Sequence, residues 1–132
     1  MPSLILFWLG CGSGDPAQLY EDGVAEQSPA VCMKIPLNDP RRLECLTTIA
    51  HQAASTMDIE TAILACAAVQ EGTWQDECFF QISDEGNLIG EQARRVCEKA
   101  GQFSSRCVNH AASRDVEMNL LNSGQQGQEG WA

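Results

Sequence analysis

An all-α fold of antiparallel helical hairpins is the class this sequence predicts, on three observations. A pair of cysteines separated by a short polar stretch occurs three times, as Cys32 with Cys45, Cys66 with Cys78, and Cys97 with Cys107. The first members lie 34 and 31 residues apart and the second members 33 and 29, and a period near 30 to 35 residues is the length of one helix–turn–helix repeat. Between residues 38 and 121 apolar side chains recur at helical spacing, broken by capping and turn residues. Alternating apolar and polar runs of the kind that mark strands are absent.

The body of the chain reads as five helices. The first takes Asn38 or Asp39 as N-cap and Pro40 in its first turn, where the missing N–H costs nothing. Leu43, Leu46, Ala50 and Ala53 line one face, and Ala53 to Thr56 close it. The second, capped by Thr56 or Asp58, carries the stripe Ile59, Ala62, Ile63, Cys66 and Ala67 and ends at Gly72, read as a C′ glycine. The third starts at Thr73 with Asp76 and Glu77 in its first turn, where carboxylates complement the helix dipole, and turns Cys78, Phe79 and Ile82 inward. Asp84 to Asn87 form a breaker. The fourth takes Ile89, Ala93, Val96, Cys97 and Ala100 and stops at Gly101; the fifth has Ser104 as N-cap and runs through Cys107, Val108, Ala111 and Met118 to Leu121. Short connections between such helices make antiparallel neighbours.

The ends read differently. Residues 15 to 31 carry Pro16, Gly23 and Pro29 among acidic residues and read as linker, with one helical turn at Ala17 to Tyr20. Asn122 to Ala132 is rich in Gly and Gln without periodicity and reads as a disordered tail. The resulting division is 1–10, 11–37, 38–121 and 122–132.

Two pairings of the six body cysteines suit helical hairpins. Neighbours in sequence would join Cys32–Cys45, Cys66–Cys78 and Cys97–Cys107, with the midpoints of the last two in the turns at Gly72 and Gly101. The rival joins Cys45–Cys66 and Cys78–Cys97, also across turns, and leaves Cys32 for Cys107. Sequential pairing is preferred because one geometry then serves all six. In a body this small, each bridge is worth roughly 2–4 kcal/mol through restriction of the unfolded chain.

Eighteen acidic against eight basic residues give a formal charge of −10, which repels nucleic acid and anionic lipid. No nucleophile–base order, P-loop or dinucleotide-binding glycine pattern occurs, so no enzyme activity and no cofactor are expected. His51 and His110 stand apart and read as surface or half-buried helical histidines. Ser83 to Asn87 lacks the alternating oxygen ligands of a calcium loop, so no metal site is expected. Trp74, with the adjacent Phe79 and Phe80, is the best candidate for a protein-binding patch; one of the two phenylalanines must face inward and the other partly outward.

Seven cysteines leave one over. That one, Cys11, follows an apolar run from Leu4 to Leu9 in the context Trp8-Leu9-Gly10-Cys11, which resembles the lipobox at the end of a bacterial lipoprotein signal peptide. The resemblance implies that residues 1–10 belong to a signal peptide, that Cys11 carries lipid, that residues 11–37 form a tether, and that the protein is exported and membrane-anchored in the cell envelope, facing the periplasm from the bacterial outer membrane. From Pro40 to Leu121 the period and hairpin layout resemble tetratricopeptide and Sel1-like helical repeats, which implies a scaffold that binds another protein. A redox or metal-handling protein using the cysteines as thiols, or a structural envelope protein, is the alternative expectation.

Overall fold

Helix starts in this chain are written as an acceptor side chain followed by proline, and the computed structural model, which describes residues 14–129 with side chains to 123, uses three of them. Asp15, Ser28 and Asp39 each accept a hydrogen bond from a backbone N–H of the following turn, with proline at the next position. This fits because the proline has no N–H to leave unpaired and its φ is already helical. They open α1 (Pro16–Glu26), α2 (Pro29–Cys32) and α3 (Pro40–Ser55). Asp58 opens α4 (Ile59–Ala68), its side chain accepting from the N–H of Thr61 at 3.2 Å. Then come α5 (Thr73–Glu85), α6 (Gly90–Cys97), a single 3₁₀ turn (Gly101–Phe103) and α7 (Ser104–Glu129). All regular structure among the described residues is helical, so the fold class is all-α.

The three disulfides join neighbours in sequence: Cys32–Cys45, Cys66–Cys78 and Cys97–Cys107, with Cα–Cα distances of 5.7, 5.5 and 5.4 Å. Each closes one helical hairpin, α2–α3, α4–α5 or α6–α7. All six cysteines are buried, so each bridge is also a piece of core.

A repeat more regular than the cysteine spacing lies in the backbone. The left-handed non-glycine residues Gln27, Met57 and Asn87 fall at intervals of 30 residues. After each, the next N–H reaches back five residues, Ser28 to Gly23, Asp58 to Ala53 and Leu88 to Ser83, at 2.9, 2.8 and 3.0 Å. This is the Schellman closure of a helix end. It comes three times, ending α1, α3 and α5 and beginning a new disulfide-closed hairpin each time. The residues whose carbonyls accept in this closure, Gly23, Ala53 and Ser83, are all small and buried. At the first, a side chain would run into the Sγ atoms of both Cys32 and Cys45. At the third, Ser83 Oγ lies 3.8 Å from Cys97 Sγ.

The helices that precede the breaks pack in succession, α1 on α3, α3 on α5 and α5 on α7. The core they share with α4 and α6 holds Leu46, Ile49, Ile63, Phe79, Ile82, Leu88 and Val96. Polar ties reinforce the succession. Tyr20 and Thr48 hydroxyls meet at 3.4 Å and Gln27 Nε2 donates to Gln52 at 2.9 Å, both between α1 and α3. Glu60 of α4 and Arg95 of α6 form a two-pronged ion pair at the surface; the guanidinium hydrogen bond lowers the Glu60 carboxyl below its ordinary value and raises Arg95.

Three expectations are corrected. Residues 15 to 31 are not a linker: α1 spans eleven residues, buries Leu19 and Gly23, and half-buries Tyr20 and Val24 against α3. Pro16 and Pro29 are first-turn prolines here and not breakers. Gly72 does not end α4. That helix stops at Ala68 with Val69 extended, and its last carbonyls are taken by Gln75 Nε2, which donates to Cys66, Ala67 and Val69; Gly72 is instead the N-cap of α5. Finally, α7 continues as helix to Glu129, past Asn122, where an unstructured tail was expected.

Candidate binding groove

Trp74 stands in the first turn of α5 with its side chain 62 % exposed. Its backbone is fixed by the Cys66–Cys78 bridge four residues on and by Gln75, whose amide is spent on the α4 carboxyl end. An indole held out on so constrained a turn loses little freedom on binding a partner. Two hollows flank it. One, of about 440 Å³, lies between the α2–α3 turn and the α4–α5 turn, with Leu37, Leu43, Leu46 and Val69 as its apolar lining. The other, of about 330 Å³, lies between α3 and α5 and is lined by Thr47, His51, Glu77 and Gln81. Pro40, Leu43 and Trp74 line both hollows, so the two form one groove along α3 from Pro40 to His51. At its far end His51 Nε2 meets the side-chain oxygen of Gln81 at 2.6 Å, and Gln81 Nε2 donates to Glu77 at 3.2 Å.

The other two members of the expected aromatic patch go elsewhere. Phe79 is 4 % exposed and belongs to the core, because the α5 face that carries Cys78 and Ile82 also carries it inward. A partner therefore cannot reach it. Phe80 is half-buried and packs away from Trp74, against Phe103 at 5.9 Å and His110 at 5.1 Å between ring centroids. Trp74 is thus the most exposed aromatic of the three, and its companions are Leu37, Pro40 and Leu43, which the sequence assigns to the tether, a helix start and the core.

The second histidine, His110, has structural partners. His110 Nδ1 lies 3.0 Å from Asp84, whose other oxygen accepts from Arg114 at 2.6 Å. Arg114 also donates to the carbonyls of Ser83 and Leu88 and to Ser83 Oγ, so its planar fork closes the carboxyl end of α5 and fastens α7 to it. It satisfies the one buried polar side chain of the core, Ser83. Arg114 was not legible as such: one basic residue on an exposed-looking helix gives no signal until the Asn87 turn is placed beside it. Asp76 is another such residue. Its carboxylate lies over Gly101 and accepts from the N–H of Gln102, capping the 3₁₀ turn; with φ at +50° and no room for a side chain, that position requires glycine.

Among the described residues no group of three or more His, Cys, Asp or Glu side chains is placed to hold a metal ion, and no helix is long and apolar enough to cross a membrane. Cys11 and the Trp8-Leu9-Gly10 context lie outside the described residues. No protein-family model matches the chain, and comparison with curated proteins and with solved structures finds no match to either.

Proposed function

We propose that this protein is an exported lipoprotein, tethered at the cell envelope through lipid on Cys11, whose disulfide-stapled helical repeat domain is a scaffold that binds another protein through the groove beside Trp74. The observation that carries the reading is the use of the cysteines. Six of the seven are buried in three disulfides, a pattern that persists in oxidising compartments and is rare in the reducing cytosol. The seventh is the one that follows the lipobox-like stretch. The succession α1, α3, α5 and α7 supports a repeat-type scaffold, in which each unit contacts its neighbours and surface grooves serve recognition. The alternative, a redox or metal-handling protein, needs these cysteines as thiolates.

The tether is tested by metabolic labelling with a radioactive fatty acid and fractionation of the native protein beside its Cys11→Ser variant. The wild type should carry label and sediment with membranes, and the variant should lose both while keeping its three bridges. Unlabelled wild-type protein in the soluble fraction contradicts the reading. For the scaffold, a partner that co-purifies with the wild type should be lost from Trp74→Ala, whose exposed side chain can be removed without opening the core.

A further inference from the structure

We propose that the groove beside Trp74 takes a short extended segment of a partner protein that carries a basic residue between two apolar ones, the cation lying on the indole face. This deepens the protein-binding reading and rests on it. Three features of the groove select that chemistry.

The first is charge. The two hollows are lined by the carboxylates of Asp39, Glu44, Glu71 and Glu77 and by one cation, Arg42. Arg42 is engaged with the α2–α3 turn: one of its guanidinium nitrogens lies 3.4 Å from the carbonyl of Ile35 and another 3.2 Å from the Met33 sulfur. Asp39 caps α3 and pairs with Arg41 at 3.7 Å, and Glu77 accepts from Gln81. The carboxylates of Glu44 and Glu71 make no hydrogen bond or ion pair among the described residues, so the groove offers two negative charges without a partner of their own. The second is the indole. A tryptophan face is the best aromatic seat for a guanidinium or ammonium group, and carboxylates around it add to the attraction. The third is shape. From Pro40 to His51 the α3 wall runs about 17 Å at 1.5 Å per residue, which is about five residues of extended chain at 3.3 Å each. The hollows lie on either side of the Pro40, Leu43 and Trp74 ridge, and the one over Leu43, Leu46 and Val69 suits an aliphatic side chain. An acidic segment would meet four carboxylates and is excluded by the same arrangement.

The test uses the full chain, ¹⁵N-labelled, and three blocked pentapeptides of sequence Leu-Ala-X-Ala-Leu with X arginine, glutamine or glutamate, titrated at about 50 mM and about 1 M NaCl. The arginine peptide should shift the Trp74 indole and the amides of Leu43 and His51. Its binding at low salt should exceed that of the glutamine peptide by about fivefold to tenfold, the range open to a cation–π contact with exposed ion pairs. That advantage should shrink at high salt and in the Glu44→Gln, Glu77→Gln double variant, and no shift should occur in Trp74→Ala. Equal binding of the arginine and glutamine peptides at Trp74 overturns the charge preference while leaving the groove as a binding site. Preferred binding of the glutamate peptide overturns it as well. If none of the three moves Trp74 while a partner still co-purifies in a Trp74-independent way, the groove itself is wrong.

Discussion

Gly23 is the residue at which backbone, disulfide and repeat meet. Its carbonyl takes the N–H of Ser28 in the first Schellman closure, and a Cβ there would approach the sulfurs of Cys45 and Cys32 at 2.8 and 2.9 Å. Both sulfurs are bonded and buried, so neither can move aside as the end of a flexible side chain would. Gly23→Ala should therefore destabilise the protein by about 1–3 kcal/mol, the usual cost of overpacking, and slow formation of the Cys32–Cys45 bridge. Chemical denaturation and mapped thiol content after oxidative refolding check this. An unchanged midpoint with an intact first bridge would show that α1 does not pack on the disulfide as described. In the sequence, Gly23 reads as a linker glycine, because a small residue chosen for close approach and one chosen for flexibility look alike until the neighbour is known. Trp74 is exposed, as the sequence suggests, since a tryptophan among Gln, Asp and Glu has few core uses. Phe79 was misassigned to the same patch, because adjacency in sequence places consecutive helical residues about 100° apart and not on one face.

At the scale of elements, the helices from Pro40 to Phe103 follow closely from caps and stripes, as with Asp39-Pro40 for α3 and Ile59, Ala62, Ile63 and Cys66 for α4. Two of the three misreadings share a cause: Pro16, Gly23, Pro29 and Gly72 read as punctuation in the sequence, and in the structure they are first-turn prolines, a packing glycine and an N-cap. The thirty-residue backbone period was hidden for a related reason. Helix ends closed in the left-handed conformation are usually marked by glycine, and here Gln27, Met57 and Asn87 hold those positions. Met57 pays for its conformation without compensation from packing, since it is exposed. Met57→Gly should stabilise the protein by about 0.5–1 kcal/mol, from relief of the left-handed strain less the added freedom of the unfolded chain. Thermal unfolding of the two proteins side by side measures it. Destabilisation would mean that the second closure does not hold Met57 at positive φ.

On the scale of the whole molecule, three bridged hairpins, α2–α3, α4–α5 and α6–α7, are strung along the succession of α1, α3, α5 and α7. The cysteine spacing made the hairpins legible, because a turn lies near the midpoint of a bridged pair, and it made the sequential pairing preferable, because one geometry then serves all six cysteines. It could not reveal α1, which has no cysteine, or the Arg114 contacts that fasten α7 back onto the α5–α6 turn, because these depend on side chains about 30 residues apart in sequence meeting in space. The division of labour that results is simple. The bridges fix the turns, the turns fix Trp74, and Trp74 with Pro40 and Leu43 forms the ridge between the two hollows.

The central claim is that the six body cysteines are joined in sequence in the mature, exported protein and that the seventh carries the lipid. The measurement that tests it most directly is mass spectrometry of the protein taken from native membranes, alkylated without reduction and mapped as unreduced peptides. The account predicts no alkylated cysteine, peptide pairs linking Cys32 to Cys45, Cys66 to Cys78 and Cys97 to Cys107, and an acyl-sized increment on a peptide beginning at Cys11. Alkylation of the six body cysteines, with Cys11 bearing no lipid, would contradict it, and so would bridges linking Cys45 to Cys66 and Cys78 to Cys97.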